Sequence, residues 1–380
     1  MRVVIMDLKW SYGIEAVTDI LRNQIGMHCE VGVLSAAESE LDYSIKVARS
    51  KSYKDMLLAL INPMVHLRIF QAIRRLRPDV IYIISPHMLN AAIVIFYRLF
   101  TRIPIISHIH DPAHYSHPLV ATTVNSISWL QARLSNRVYC WGNTIKEVIC
   151  AKFGVASERV QVFKHGPGQT TYFDLHATDE RNAGLKYFSL IGGMQARKGI
   201  EFFLEAAARF NHLYGKDEVH FLLAGSGNLD AYRGRMNALP NLVVENRFIG
   251  NDEVNEFLAE SYALVLPYIG GVLQSSFVAI AYGNGCPVIV SRLGSLPEEV
   301  DEGSTGFVVD RANVEQITAA MHAIYSGDTR SLFSRNCIEA YREKFSWDCI
   351  GEEFYRDMAR LAGQPAQSSV PAQEAHPGRG

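Results

Sequence analysis

The stretch PYIGGVLQSSFVAIAYGNGCPVIVS, residues 267–291, joins the end of one apolar run to another and contains no charged residue. LVLPY reads as a strand, IGGVLQS as the loop after it, and SFVAIAYGNG as a helix with Ser275 or Ser276 at its N-cap. Small residues Ala279, Ala281 and Gly283 would let that helix lie close to a sheet. Gly285 ends it and Pro287 leads into the next strand. Glycine admits a ligand without a Cβ in the way, and free amides at a helix start attract oxyanions. The loop therefore reads as a cradle for phosphate rather than as a source of acid or base.

The same strand–helix alternation extends in both directions. VVIMDL, EVGVL, VIYIIS, PIISHI, RVYCW and VQVFKH are strand-like in the first half. YFSLIGG, HFLLAG, LVVENRFI, ALVLPY, PVIVS and GFVVD follow in the second. Many of these runs are continuously apolar, as parallel strands covered on both faces are. Segments such as GIEFFLEAAARFNHLYG carry helical spacing and stop at glycine. The expected fold is α/β, two Rossmann-like doubly wound domains facing a central cleft, with ligands at the carboxyl ends of the strands. The expected divisions are a domain over 1–172, a polar linker over 173–187, and a second domain over 188–330. Helices over 331–361 are expected to pack back toward the first domain, before a disordered tail over 362–380.

At 380 residues the chain is long enough for two cores. A net charge of −2 gives no reason to expect nucleic acid as a partner. Six scattered cysteines without a CxxC pair suit buried thiols in a reducing cytoplasm. No signal-peptide pattern opens the chain, and LNAAIVIFYRLF, broken by Arg98, reads as a helix packed on a sheet rather than a membrane span.

Other strand-end loops carry candidate chemistry. KWSYGIEAV places Gly13 at a helix start. SHIHDPAHYSHP gathers His108, His110, Asp111, His114 and His117, which leaves open a zinc site of a metal-dependent hydrolase, a single catalytic or sugar-contacting histidine, or a surface cluster. In LIGGMQARKGIEFFLEA, Arg197 and Lys198 precede a helix, an arrangement suited to a phosphate group. LLAGSGN adds Gly225 and Gly227 in another such loop.

Together, GMQARKGIEFFLEA, LLAGSGN, QSSFVAIAYGNGCPVIVSRLGSLPEEV, GSTGFVV and a late FSW resemble glycosyltransferase family 4. The resemblance covers most of residues 1–360 and is strongest from 188 to 310. It implies the GT-B fold and retaining transfer of a sugar from a nucleoside-diphosphate sugar, here a UDP- or GDP-sugar, with no metal cofactor. It implies that Gly13 faces the donor diphosphate, that His110 lies beside the transferred sugar with Asp111 next to it, and that Lys198 neutralises donor phosphate. Gly193 falls where members usually carry an arginine, with Arg197 as a substitute charge. It implies that the donor is bound by Gln274, Ser275 and Ser276 in the diphosphate loop, by Gly193 and Gly225 in neighbouring turns, and by Glu298 in the G-x-P-E turn. The two glutamates that most members carry around this loop are replaced by Val272 and Ile280, as in a subset with a Q-S-G sequence. Catalysis is therefore expected from His110, Lys198 and Arg197.

The expected acceptor is a saccharide or polyprenyl-linked saccharide in bacterial exopolysaccharide, capsule or lipopolysaccharide assembly. The basic stretch from Lys46 to Arg77, with Val65, Ile69, Ile73 and Leu76 at helical spacing, fits either an anionic membrane surface or a solvated domain helix. A peripheral position on the inner face of the cytoplasmic membrane is the corresponding expectation. A different class is also open, a non-catalytic GT-B subunit supporting a partner transferase.

Overall fold

The computed structural model describes residues 1–8, 14–35, 43–44, 58, 60–85, 88–110, 112, 118–168, 184, 186–215, 219–271, 274–326 and 330–365. Gly13, Asp111, His114, His117 and Val272 lie outside these residues, as do Lys46 to Lys54, almost all of the expected linker and the tail from 366.

In the first half, strands β1 (Arg2–Asp7), β2 (Glu30–Ser35), β3 (Tyr43–Ser44), β4 (Val80–Ile83), β5 (Ile105–His108), β6 (Arg137–Trp141) and β7 (Val160–Phe163) form a parallel sheet in the order β3-β2-β1-β4-β5-β6-β7. Sequence reasoning expected six strands here; β3, two residues long, is too short to show a period. Helices α1 (Ile14–Gly26), α2 (Pro63–Leu76), α3 (Met88–Phe100), α4 (Pro118–Leu134) and α5 (Asn143–Phe153) connect them.

The second half has β8 (Tyr187–Ile191), β9 (His220–Ala224), β10 (Leu242–Glu245), β11 (Ser261–Leu266), β12 (Val288–Ser291) and β13 (Gly306–Val309), in the order β10-β9-β8-β11-β12-β13. Its helices are α6 (Ile200–Tyr214), α7 (Arg233–Asn237), α8 (Asn251–Ala259), α9 (Phe277–Gly283), α10 (Val314–Ser326) and α11 (Arg330–Ala340). A last helix, α12, spans Trp347–Leu361. In both sheets the strand order reverses beside the first strand, between β1 and β4 and between β8 and β11. Loops diverge at such a point and leave a crevice at the strand ends.

Side chains alternate across a strand, so each sheet feeds two cores. Val3 and Ile5 pack with Leu21, Ile149 and Phe354, on α1, α5 and α12. Val4 and Met6 pack the other way, with Ile69, Ile73 and Ile93 from α2 and α3. Helix α11 packs on the second domain, where Gly285 leaves room for Ser334 and Ile338. Among the described residues of 331–361, those that join the first domain's core belong to α12, so the return begins at Trp347 rather than at 331. There Phe354 sits among Tyr82, His108, Tyr139, Trp141 and Phe163, 4.1 Å from the Phe163 ring. Tyr139 Oη donates to Asp357 at 2.8 Å, and Trp347 Nε1 donates to the Pro167 carbonyl at 2.9 Å.

Phe354 is fully buried. Phe354→Ala is expected to destabilise the first domain by about 3–5 kcal/mol. Chemical denaturation followed by tryptophan fluorescence measures this, and an unchanged midpoint would show that α12 is dispensable to that core.

Candidate functional site

Strands β8 and β11 are paired neighbours at the reversal point, so the loops leaving them form the two walls of the second domain's crevice. The loop after β8 is held by main-chain bonds to the loop after β9: Gly192 N donates to Ala224 O at 2.9 Å and Met194 N to Ser226 O at 2.8 Å. Gly225, with φ +143°, packs its bare Cα against the Gly192 carbonyl, where a Cβ would come within 2.0 Å. The residue expected to meet a donor therefore meets the neighbouring loop. Gly199, φ +72°, similarly lets the chain pass the Pro267 carbonyl and enter α6. These contacts require glycine because both conformation and space exclude a Cβ.

A short 3-10 turn, Ala196–Lys198, points two cations from this loop. Arg197 bridges the walls: its Nε donates to Gln195 Oε1 at 2.6 Å and its Nη1 to the Gly271 carbonyl, while Ile269 N donates to the Arg197 carbonyl at 3.0 Å. Lys198 behaves differently. Its Nζ lies 5.4 Å from the Tyr268 ring centroid and 5.5 Å from that of Phe277, over bare Gly192. Among the described residues this ammonium has no carboxylate partner. Two aromatic faces stabilise the cation and leave its donors for an anion. Gly193 is open to the cleft, with no neighbouring atom closer than 3.8 Å to a Cβ placed there.

Across the crevice stand Gln274, Ser275 and Ser276, all half-buried. Among the described residues their backbone N–H groups donate to nothing, and Gln274 Oε1 is buried without a partner. Ser276 occupies the N-cap position of α9, yet the serine that accepts from the helix start is Ser275, whose Oγ lies 3.4 Å from Phe277 N. Gly168, at the end of the first domain's described chain, faces Ser276, whose Oγ would be 3.0 Å from a Cβ at 168. Ile280, 4% exposed, is part of the core beneath this loop and presents no polar group.

The histidine cluster reads differently in space than in sequence. His110 stacks on His108 with ring centroids 4.4 Å apart. One nitrogen of His110, Nε2, meets the Ile84 carbonyl at 2.7 Å, and Nδ1 accepts from Trp141 Nε1 at 3.0 Å. Both ring nitrogens are thus engaged within the protein, so the side chain is a neutral imidazole with Nε2 protonated, held in place rather than free to exchange a proton. His108 is buried, with Nδ1 2.7 Å from Tyr82 Oη. His110 thus keeps no lone pair for a metal, whereas His108 Nε2 is buried without a partner among the described residues. Burial pushes His110 and His165 down to about 4 and holds His108 well below its usual value, with the neighbouring imidazoles opposing charge as well.

Glu298 departs most from its expected place. It lies in the 3-10 turn Leu296–Glu299 and reaches across to the first domain. Its Oε2 accepts from Asn143 N at 2.7 Å and Asn143 Nδ2 at 3.0 Å; its Oε1 accepts from Thr144 N at 2.8 Å and Thr144 Oγ1 at 2.9 Å. Both oxygens are spent on capping α5, whose own N-cap residue, Gly142, has no side chain to do so. Lys164 Nζ donates to the Glu298 carbonyl at 2.6 Å. Glu298 is therefore a fastening between domains, not the donor contact that the resemblance implied. Next to it, burial raises the Glu299 carboxyl to about 8, with Lys164 opposing the shift and Glu298 adding to it.

The sequence missed three further parts of the site: the Tyr268 and Phe277 walls around Lys198, the Trp141 bond to His110, and the approach of Ser295 to Gly142, where a Cβ would lie 2.1 Å from Ser295 Oγ. Tyr268 and Phe277 lie inside the 267–291 stretch, so an aromatic at each end of a glycine-serine loop was the available signal.

The family described as Glycosyl transferases group 1 matches residues 186–327, and that described as Glycosyltransferase Family 4 matches residues 13–166. An uncharacterised glycosyltransferase of Methanocaldococcus jannaschii is 24% identical over 273 residues, 66% of this chain and 68% of that protein. Among solved structures, Anabaena HepE in complex with UDP and glucose superposes with a TM-score of 0.68 at 13% identity, over 95% of this chain and 100% of that one. The lipopolysaccharide outer core galactosyltransferase WaaB, in apo form, gives 0.65 at 13% identity over 95% and 99%. At this identity the likeness to the solved structures is one of fold.

The buried histidines set a pH dependence. Their folded values lie below the unfolded value of about 6.5, so the stability of the neutral state is complete above pH 6.5 and is lost as pH falls toward 4. Each contributes a slope of up to about 1.4 kcal/mol per pH unit in that window. His165→Gln is expected to reduce the slope measured by denaturation between pH 6.5 and 4; an identical slope would show that His165 is charged in the folded protein.

Proposed function

Starting from its membership of the group 1 glycosyl transferases, as a glycosyltransferase of the GT-B fold, we propose that this chain transfers a sugar, with retention, from a UDP- or GDP-sugar to a saccharide or polyprenyl-linked saccharide. The observation that carries the donor half is the Lys198 ammonium, without a carboxylate partner among the described residues, on one wall of a crevice whose other wall offers the free amides of Gln274, Ser275 and Ser276. When the bond between the anomeric carbon and the diphosphate oxygen breaks, negative charge grows on the leaving diphosphate. Donors already aimed at that charge lower the barrier without reorganising. Lys198 and the 274–276 amides take this role; Arg197 holds the two walls together and keeps Nη2 for the same anion.

His110 acts in this scheme as a fixed neutral imidazole that shapes the sugar side of the cleft, not as a proton carrier. With Ile280 apolar, the nucleoside ribose is held by groups other than the usual glutamate. A setting in bacterial surface polysaccharide assembly, at the inner face of the cytoplasmic membrane, accords with the fold shared with an outer core galactosyltransferase. The alternative of a non-catalytic subunit is disfavoured by the retained cation and cradle.

Lys198→Ala is expected to lower transfer from a UDP- or GDP-sugar by about 10²–10³-fold, the loss typical of one preorganised donor. Asp252→Ala, at an exposed position of α8, is expected to stay within twofold. A donor panel read by mass spectrometry and titration calorimetry measures both. Parent-like activity of Lys198→Ala would remove the proposed leaving-group chemistry, and no binding of any donor by the parent would favour the subunit.

A further inference from the structure

The face of the first domain formed by α2, α3 and α4 has a composition unlike the rest of the chain. Of 39 Asp and Glu residues, only Asp79 and Asp111 fall within residues 56–134, and none lies in these three helices. The same span carries seven arginines: Arg68, Arg74, Arg75, Arg77, Arg98, Arg102 and Arg133. None of the seven makes a carboxylate pair among the described residues. Asp79 is engaged elsewhere, accepting from Arg2 N at 2.7 Å.

The apolar surface gathers on the same helices. Of fifteen large hydrophobic side chains exposed in the described chain, eight lie between Leu58 and Phe100. Leu99 and Phe100 are each 70% exposed, and Ile61 75%. A groove of about 480 Å³ runs between α2 and α3, lined by Leu67, Phe70, Phe96 and Tyr97 among others. Tyr97 is 3% exposed, and its hydroxyl has no partner among the described residues. Helix α3 thus packs one side on the sheet, as its sequence suggested, and presents the other to solvent. Exposed apolar area of this kind marks an interaction surface, and a rim of unpaired arginines selects an anionic partner.

We propose that this face docks on an anionic phospholipid bilayer, with Leu67, Phe96, Leu99 and Phe100 entering the headgroup region and the arginines meeting lipid phosphates. The groove between α2 and α3 takes one hydrocarbon chain against Leu67, Phe70 and Phe96. No helix among the described residues is long and apolar enough to cross a membrane, so the contact is one of surface. It rests on the proposed transfer reaction only for its purpose, presenting the cleft to lipid-linked acceptors; attachment itself needs no donor.

Co-sedimentation of the full chain with phosphatidylglycerol–phosphatidylcholine vesicles at low salt tests this. The parent is expected to bind these vesicles, to lose binding at high salt, and to ignore pure phosphatidylcholine. The double variant Leu99→Glu/Phe100→Glu is expected to lose at least tenfold in partitioning. Arg98→Glu/Arg102→Glu is expected to lose a similar factor. Unchanged melting and UDP titration would show that the variants are folded and that the donor site is a separate matter. No binding by the parent, or undiminished binding by both variants, would overturn the proposal. So would a parent dimer, seen in sedimentation velocity and split by Leu99→Glu/Phe100→Glu, that leaves vesicles alone; the face would then belong to a second copy.

Discussion

An ammonium group held between two aromatic rings, with no described carboxylate to answer it, is the constraint around which the second domain is arranged. Lys198 reaches its place because Gly192 has no side chain there, Gly225 lets the neighbouring loop lie against Gly192, and Gly199 turns the chain past Pro267 into α6. Each glycine is bound to one distance. With a Cβ at any of the three, the two strand-end loops would separate and the cation would lose its position. Phe277, whose ring meets the ammonium, follows directly on residues 274–276, beside the reversal point of the sheet where parallel strands leave a crevice.

The two domains are joined by polar groups at one side and by a helix at the other. Glu298 caps a helix it does not belong to, and its backbone carbonyl receives Lys164. Helix α12 inserts Trp347 and Phe354 among the aromatic and histidine side chains of the first domain. The neutral state of His108, His110 and His165 belongs to this packing, since an aromatic interior disfavours imidazolium. The three neutral histidines therefore belong to the seam between α12 and the first domain.

Much of this was legible in the residues. Continuously apolar runs marked the longer strands because buried parallel strands need such runs, and the glycine-serine loop marked the crevice because bare amides there have few other uses. Lys198 stood out as a cation at a helix start. What could not be read was direction. Glu298 looked like a ligand for the donor side because nothing local shows that α5, some 150 residues earlier, lacks a side-chain cap. His110 looked free because Trp141, its partner, comes from another strand. The apolar outer side of α3 was hidden for a related reason, since a helix rich in Ile and Phe reads as buried until its neighbours are known.

The most direct measurement is the structure of the chain with an intact UDP-sugar or UDP. The account predicts the diphosphate within hydrogen-bonding distance of Lys198 Nζ and of at least one amide among residues 274–276, with Glu298 still on α5. A diphosphate seated elsewhere, or a Lys198 side chain directed away from it, would contradict the account.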